Sequence, residues 1–163
     1  MSWRPHLLLL FALTIIAGAA LVDHYASQPA AMAPLLPLAA AAVTAIELEH
    51  NGEIRCRYQR HEESWQRTPP VMGGEISEEV ALLLQLPSLQ PLRQLPLDAT
   101  TTLALYGLDP PRLTLRFNQT ISVGFGDQAP LAFQRYLLTA TAIALVKDGL
   151  YGQISLLCPP PIP

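Results

Sequence analysis

Charge is scarce in this chain. Of its 163 residues, 14% are Asp, Glu, Lys or Arg, against about 25% in an ordinary soluble domain. Lysine occurs once, at Lys147, and the ten basic residues are outnumbered by thirteen acidic ones, for a net charge of −3. A protein that grips phosphate backbones needs a clustered basic face, so nucleic acid is excluded as a partner. No Gly-x-Ser-x-Gly elbow is present, which removes the α/β-hydrolase nucleophile. No internal repeat is found either. Cysteine occurs twice, and neither copy follows the N-terminal apolar run as a lipoprotein would require.

Apolar residues are plentiful at 50%, too many for a disordered chain, and proline outnumbers glycine by sixteen to nine. Leu7–Val22 is sixteen residues without a charge, between Arg4 and Asp23. As a helix it spans about 24 Å, short of the ~30 Å hydrocarbon layer, and Trp3 and Tyr25 stand where interfacial aromatics belong. Positive charge lies only before the run, and no Lys or Arg occurs from Asp23 to Ile54. That asymmetry predicts residues 1–22 as an anchor in a bacterial inner membrane, with the rest of the chain in the periplasm. Ala17-Gly18-Ala19 also reads as a cleavage site, so a signal peptide is the alternative. Both readings place the remaining 141 residues, enough for one domain, outside the cytoplasm.

Residues 23–42 carry eight alanines and three prolines. They read as a semi-extended spacer whose Leu35, Leu36 and Leu38 dock on the domain or its partner. The domain itself is expected over 43–157. Ile46 and Leu48, then Ile54, Cys56 and Tyr58, alternate with polar residues across Asn51-Gly52. A three-residue loop of His50, Asn51 and Gly52 keeps both apolar sets on one face, pairing Leu48 with Ile54 and Ile46 with Cys56. Trp65 is expected to reach back into the core. Ser77 reads as the cap of a helix carrying Glu78, Glu79, Val80, Leu83 and Leu84, stopped by Pro87. A short strand follows at Leu92–Leu95, then a helix at Thr101–Tyr106 capped by Asp98 or Thr100 and closed by Gly107. Further strands are expected at Leu113–Phe117, Thr120–Phe125, Phe133–Leu138 and Ala142–Val146, with a helical turn in Leu150–Leu157. Residues 158–163 form a proline-rich tail. Hairpin-length connections make this an α+β domain of antiparallel hairpins with one or two short helices.

Chemistry is sparse along this order. His61-Glu62-Glu63-Ser64-Trp65 begins like a zincin helix but has Trp where the second ligand must stand. His50, Cys56 and His61 diverge in the expected hairpin, so no metal site is predicted there. Gly124-Phe125-Gly126-Asp127 follows a strand with no helix behind it, which makes it a bulge or turn rather than a phosphate cradle. Cys56 reads as a buried thiol, with a bond to Cys158 as the alternative that an oxidising compartment permits. Arg55, Arg57, Arg112 and Arg116 are the most distinctive polar feature. Sharing one sheet face, they would be a wet surface balanced by Glu47 and Glu49, or an interaction face for an acidic partner or lipid headgroups.

Tyr106-Gly107-Leu108-Asp109-Pro110-Pro111, preceded by Leu105, resembles a motif of the bacterial family designated "domain of unknown function 4340", found in membrane-anchored extracytoplasmic proteins. Trp65, Pro70-Val71, the Val80–Leu84 helix and the Ile121–Gly124 strand follow that family's order over about residues 43–155. The resemblance implies a single extracytoplasmic unit with no established catalytic residue. Some members accompany auxiliary components of export or gliding-motility systems. The motif is legible in its own terms: Gly107 supplies a left-handed cap, and Asp109 before proline must be extended. The expected protein is a non-catalytic, cofactor-free, single-pass membrane protein. It would contact the bilayer through Leu7–Val22 and act as an accessory subunit for another membrane or periplasmic protein. The alternative is a periplasmic module binding a lipid or anionic glycan on the arginine face.

Overall fold

Strand alternation in the sequence becomes one pleated sheet. The computed structural model describes residues 33–68, 75–130 and 133–158. Its strands are β1 (Ala45–His50), β2 (Glu53–His61), β3 (Ser64–Thr68), β4 (Arg93–Pro96), β5 (Leu113–Phe117), β6 (Ile121–Gln128), β7 (Gln134–Leu138) and β8 (Ala142–Lys147). They lie in the order β3-β2-β1-β5-β6-β7-β8-β4, each pair antiparallel. Two short helices, α1 (Ile76–Leu83) and α2 (Tyr151–Leu156), complete an α+β architecture. Leu7–Val22, most of the spacer and the tail beyond Cys158 lie outside the described residues. Among the described residues no helix is long and apolar enough to cross a membrane.

The first hairpin departs from the three-residue loop. Asn51 and Gly52 both take positive φ, 51° and 82°, in a two-residue turn closed by the His50–Glu53 pair. Continued without interruption, that turn would set Ile46 opposite Arg57 and split the apolar residues between two faces. A bulge between the Glu49–Ile54 and Leu48–Cys56 pairs leaves Arg55 as an extra residue. Beyond it Leu48 meets Cys56, Ile46 meets Tyr58, and all four side chains are buried. The inward-facing set is the expected one from Cys56 onward; the pairing is displaced by two residues, and Ile54 is 43% exposed.

Both helices cover the same, inner face of the sheet. α1 packs Val80 and Leu83 into the core, and α2 does so with Ile154. Glu75, not Ser77, stands at the α1 cap, and its side chain makes no capping bond. Ile76 packs against the core, so burial draws the helix start earlier than a serine cap would. Glu78 and Glu79 remain in the first turn, where the helix dipole favours carboxylates. The second expected helix shrinks to one 3₁₀ turn, Leu103–Tyr106, closed by Gly107 at φ 65°, ψ 28°. Asp98 caps no helix; its Oδ1 accepts from the Thr100 amide and from the hydroxyls of Thr100 and Thr101. Leu35 and Leu36 are buried, so the described end of the spacer is packed onto the domain.

Cys56 is not a free thiol. It is bonded to Cys158 across a sequence separation of 102, which fastens the residue after α2 to the middle of β2. The outer face is divided in character. Over β1, β2, β5 and the start of β6 it carries Glu47, Arg57, Arg116 and Ser122; over β7, β8 and β4 it carries Tyr136, Leu138, Ile143, Leu145 and Leu95. Residues 106–111 lie on part of the apolar half, with Leu108 only 1% exposed.

Two glycines permit this cover for different reasons. Gly107 needs its positive φ, and a Cβ there would meet only the Asp127 carboxylate, the movable end of an exposed side chain. At Gly126 a Cβ would strike the Tyr106 carbonyl oxygen and the Leu108 side chain at 2.8 Å. Gly107→Ala is expected to cost about 1 kcal/mol. Gly126→Ala is expected to cost more, about 2–3 kcal/mol, because backbone must shift. Denaturant midpoints of the two variants check this order; equal loss would contradict it.

Candidate functional site

β1 lies between β2 and β5, so the two hairpins do share a sheet. Glu47 stands opposite Arg57 on one side and Arg116 on the other. Arg57 Nε is 2.8 Å from Glu47 Oε1, Arg116 Nη2 is 2.9 Å from Glu49 Oε2, and Arg55 Nη2 is 2.9 Å from Glu53 Oε2. Arg112 precedes β5, exposed and without an ion pair among the described residues, and its carbonyl accepts the Asn51 amide at 2.8 Å. Three of the four arginines are thus engaged by carboxylates. The arrangement is a self-neutralised sheet face.

The charged cluster that sequence reasoning missed lies on the inner face. The Tyr58 hydroxyl donates to Glu79 Oε2 at 2.7 Å and lies 3.5 Å from Cys158 Sγ. Arg67 Nη1 donates to both Glu79 oxygens at 2.5 Å. Side-chain exposure is 4% at Arg67 and 10% at Glu79, so both charges are largely removed from water. Burial and then the hydrogen bond to Glu79 push the Tyr58 phenol well above its ordinary range. Arg67 had no visible signal because 59–68 lacks apolar alternation, yet β3 pairs Arg67 with Tyr58. A second cluster holds Arg135 by a two-pronged bond to Asp148 (2.8 and 2.9 Å), by the Gly126 carbonyl (2.6 Å), and over the Tyr151 ring at 3.6 Å. Both clusters hold the helices and the turn after β8 to the sheet.

Two open surfaces border the β4 edge. On the outer face a groove of about 340 Å³ is lined by Arg93, Leu95, Tyr106, Tyr136, Ile143 and Leu145. Tyr106 and Tyr136 meet edge to face, 4.9 Å between ring centroids. The groove continues past Leu95 and Ile143 to Asp98, Thr100 and Leu105. Hydrogen bonds from the Thr100 and Thr101 side chains hold the Asp98 carboxyl below its usual range. At the other end of β4, Leu92 and Phe133 flank Lys147, Asp148 and Gly149 around a shallow depression of about 420 Å³. Phe133 is 78% exposed at φ 62°, a backbone conformation that costs a non-glycine residue about 1–2 kcal/mol. Its carbonyl accepts the Asp148 amide at 2.8 Å, which helps to hold it there.

Among the described residues no group of His, Cys, Asp and Glu could hold a metal ion. Comparison with known proteins finds no matching family model, no matching curated protein and no matching solved structure.

Tyr58 gives the cluster a pH signature. Its pKa is raised on folding, so its contribution is complete below the unfolded value near pH 10 and is lost as pH rises above it. Above pH 10 the native state binds one proton more than the unfolded chain, a slope of about −1.4 kcal/mol per pH unit. Denaturant midpoints measured from pH 8 to 11 should fall more steeply for the wild type than for Tyr58→Phe. Parallel curves would contradict the buried phenol.

Proposed function

We propose that this chain is a non-catalytic, membrane-anchored protein that presents its α+β domain in the bacterial periplasm as an accessory subunit for another envelope protein. The observation that carries the reading is Phe133. An exposed aromatic ring held on a strained backbone, beside exposed Leu92 and Lys147, which makes no ion pair among the described residues, is a costly way to finish a loop and a sound way to present an anchor to a partner. The Cys56–Cys158 bond supports an oxidising compartment. The apolar, charge-asymmetric Leu7–Val22 and the resemblance of Tyr106–Pro111 to an extracytoplasmic family support anchoring on the periplasmic side. The ion-paired arginines favour a protein partner over an anionic lipid or glycan on that face.

A photo-crosslinking residue at position 133, in the full chain in native membranes, should capture one envelope protein. The same probe at Gln59, exposed on the outer face of β2, should not. Indistinguishable adducts at the two positions would remove the partner surface. In the same preparation the chain should begin at Met1 or Ser2 and resist alkaline carbonate. A soluble chain beginning at Ala20 would replace the anchor with a cleaved signal.

A further inference from the structure

The outer-face groove beside β4 is separate from the Phe133 surface, and its charges follow a definite order. Arg93 closes one end; it is exposed and makes no ion pair among the described residues. Asp98 closes the other; its Oδ1 is occupied by Thr100 and Thr101, while Oδ2 accepts no bond among the described residues. Four residues separate the two, a reach of about 16 Å if the chain is extended throughout. Between them lie Leu95, Ile143 and Tyr106, and Leu105 stands at the rim 79% exposed.

We propose that this groove is the contact between two copies of the chain, related by a twofold axis that sets Arg93 of each copy against Asp98 of the other. A twofold axis through the midpoint of this run, near Leu95 and Pro96, exchanges its ends. Each cation then faces a carboxylate, twice over, and each exposed Leu105 is brought to the other copy's apolar floor. A surface with a cation, a slot, a knob and an anion in line is complementary to itself. A simple acidic partner would satisfy Arg93 but repel Asp98, and a basic one the reverse.

The contact runs through side chains. β4 is only four residues long and Pro96 lacks an N–H, so its edge is guarded against joining a second sheet strand to strand. The aligned charges set the register of the pair, and the buried Leu105 and tyrosine surface supplies its affinity. This inference goes beyond the subunit role and does not depend on it, since it concerns a second copy at a different patch.

Sedimentation velocity of the full chain in a mild detergent tests it. The wild type should sediment as a dimer at micromolar concentration. Arg93→Asp and Asp98→Arg should each weaken association at least tenfold, because like charges then meet twice. An equimolar mixture of the two variants should regain the wild-type dimer, since every cation again faces a carboxylate. Leu105→Glu, at a position 79% exposed, should also dissociate the pair; matching thermal melts establish that each variant is folded. A monomeric wild type would overturn the proposal. So would a dimer that survives all three variants, as one held by Leu7–Val22 would, or folded charge variants that stay apart when mixed.

Discussion

Cys56 and Tyr58 must face inward together, and β2 manages this only because one extra residue is let into the strand at Arg55. Much else in the molecule hangs on that bulge. Cys56 fastens the segment after α2, while Tyr58 reaches Glu79 on α1, and Glu79 in turn holds Arg67 on β3. Four parts of the chain, β2, β3, α1 and the segment after α2, therefore meet at one strand. Within that locus the buried carboxylate is tolerable because every neighbour donates to it: a guanidinium and a phenol surround Glu79. The disulfide joins residues 102 apart in sequence, whereas Glu79 gathers Tyr58 and Arg67 from 21 and 12 residues away.

The sheet has two covers of different construction. The inner face is closed by helices carrying Val80, Leu83 and Ile154. The outer face is closed only in part, by an irregular hexapeptide, Tyr106–Pro111. Irregular backbone can lie flat on a sheet only where the sheet offers no side chains, and Gly124 and Gly126 supply that bare strip, Pro111 resting over one and Leu108 over the other. Where the cover ends, the sheet face stays apolar and open beside β4. The hexapeptide is thus both a stabilising cover and one wall of the groove, through Tyr106.

Charge distribution then sorts the surface. Around β1, Arg57 and Arg116 each find a glutamate, as expected of a wet sheet face in a charge-poor chain. Around β4 three charged groups make no ion pair among the described residues: Arg93 at one end, Asp98 at the other, and Lys147 beyond. Ion-paired side chains present little net field to a partner, whereas unmatched ones beside exposed leucine and phenylalanine favour association in a defined orientation. This contrast is the reason the proposed interaction surfaces are assigned to the β4 end of the sheet rather than to the arginine stripe.

Alternation along Leu113–Phe117 and Ile121–Phe125 determined those strands and which of their side chains face inward, because a buried face imposes a period of two whatever the partner strand. Gly107 was legible for a similar local reason, since the left-handed cap is a property of one residue. Pairing register was not legible. Loops of two and three residues both kept the apolar residues inward once a bulge was allowed, and the structure takes the two-residue turn with the bulge at Arg55. β3 was invisible because its side chains are stabilised by charge and by an edge position rather than by alternation. The Cys56–Cys158 bond, the Tyr58–Glu79–Arg67 cluster and the groove from Arg93 to Asp98 depend on residues brought together from distant parts of the chain. Composition and local pattern set what each segment prefers; which segments meet is decided by the closing of the whole sheet, since only then are the costs of burying charge and ordering loops offset together.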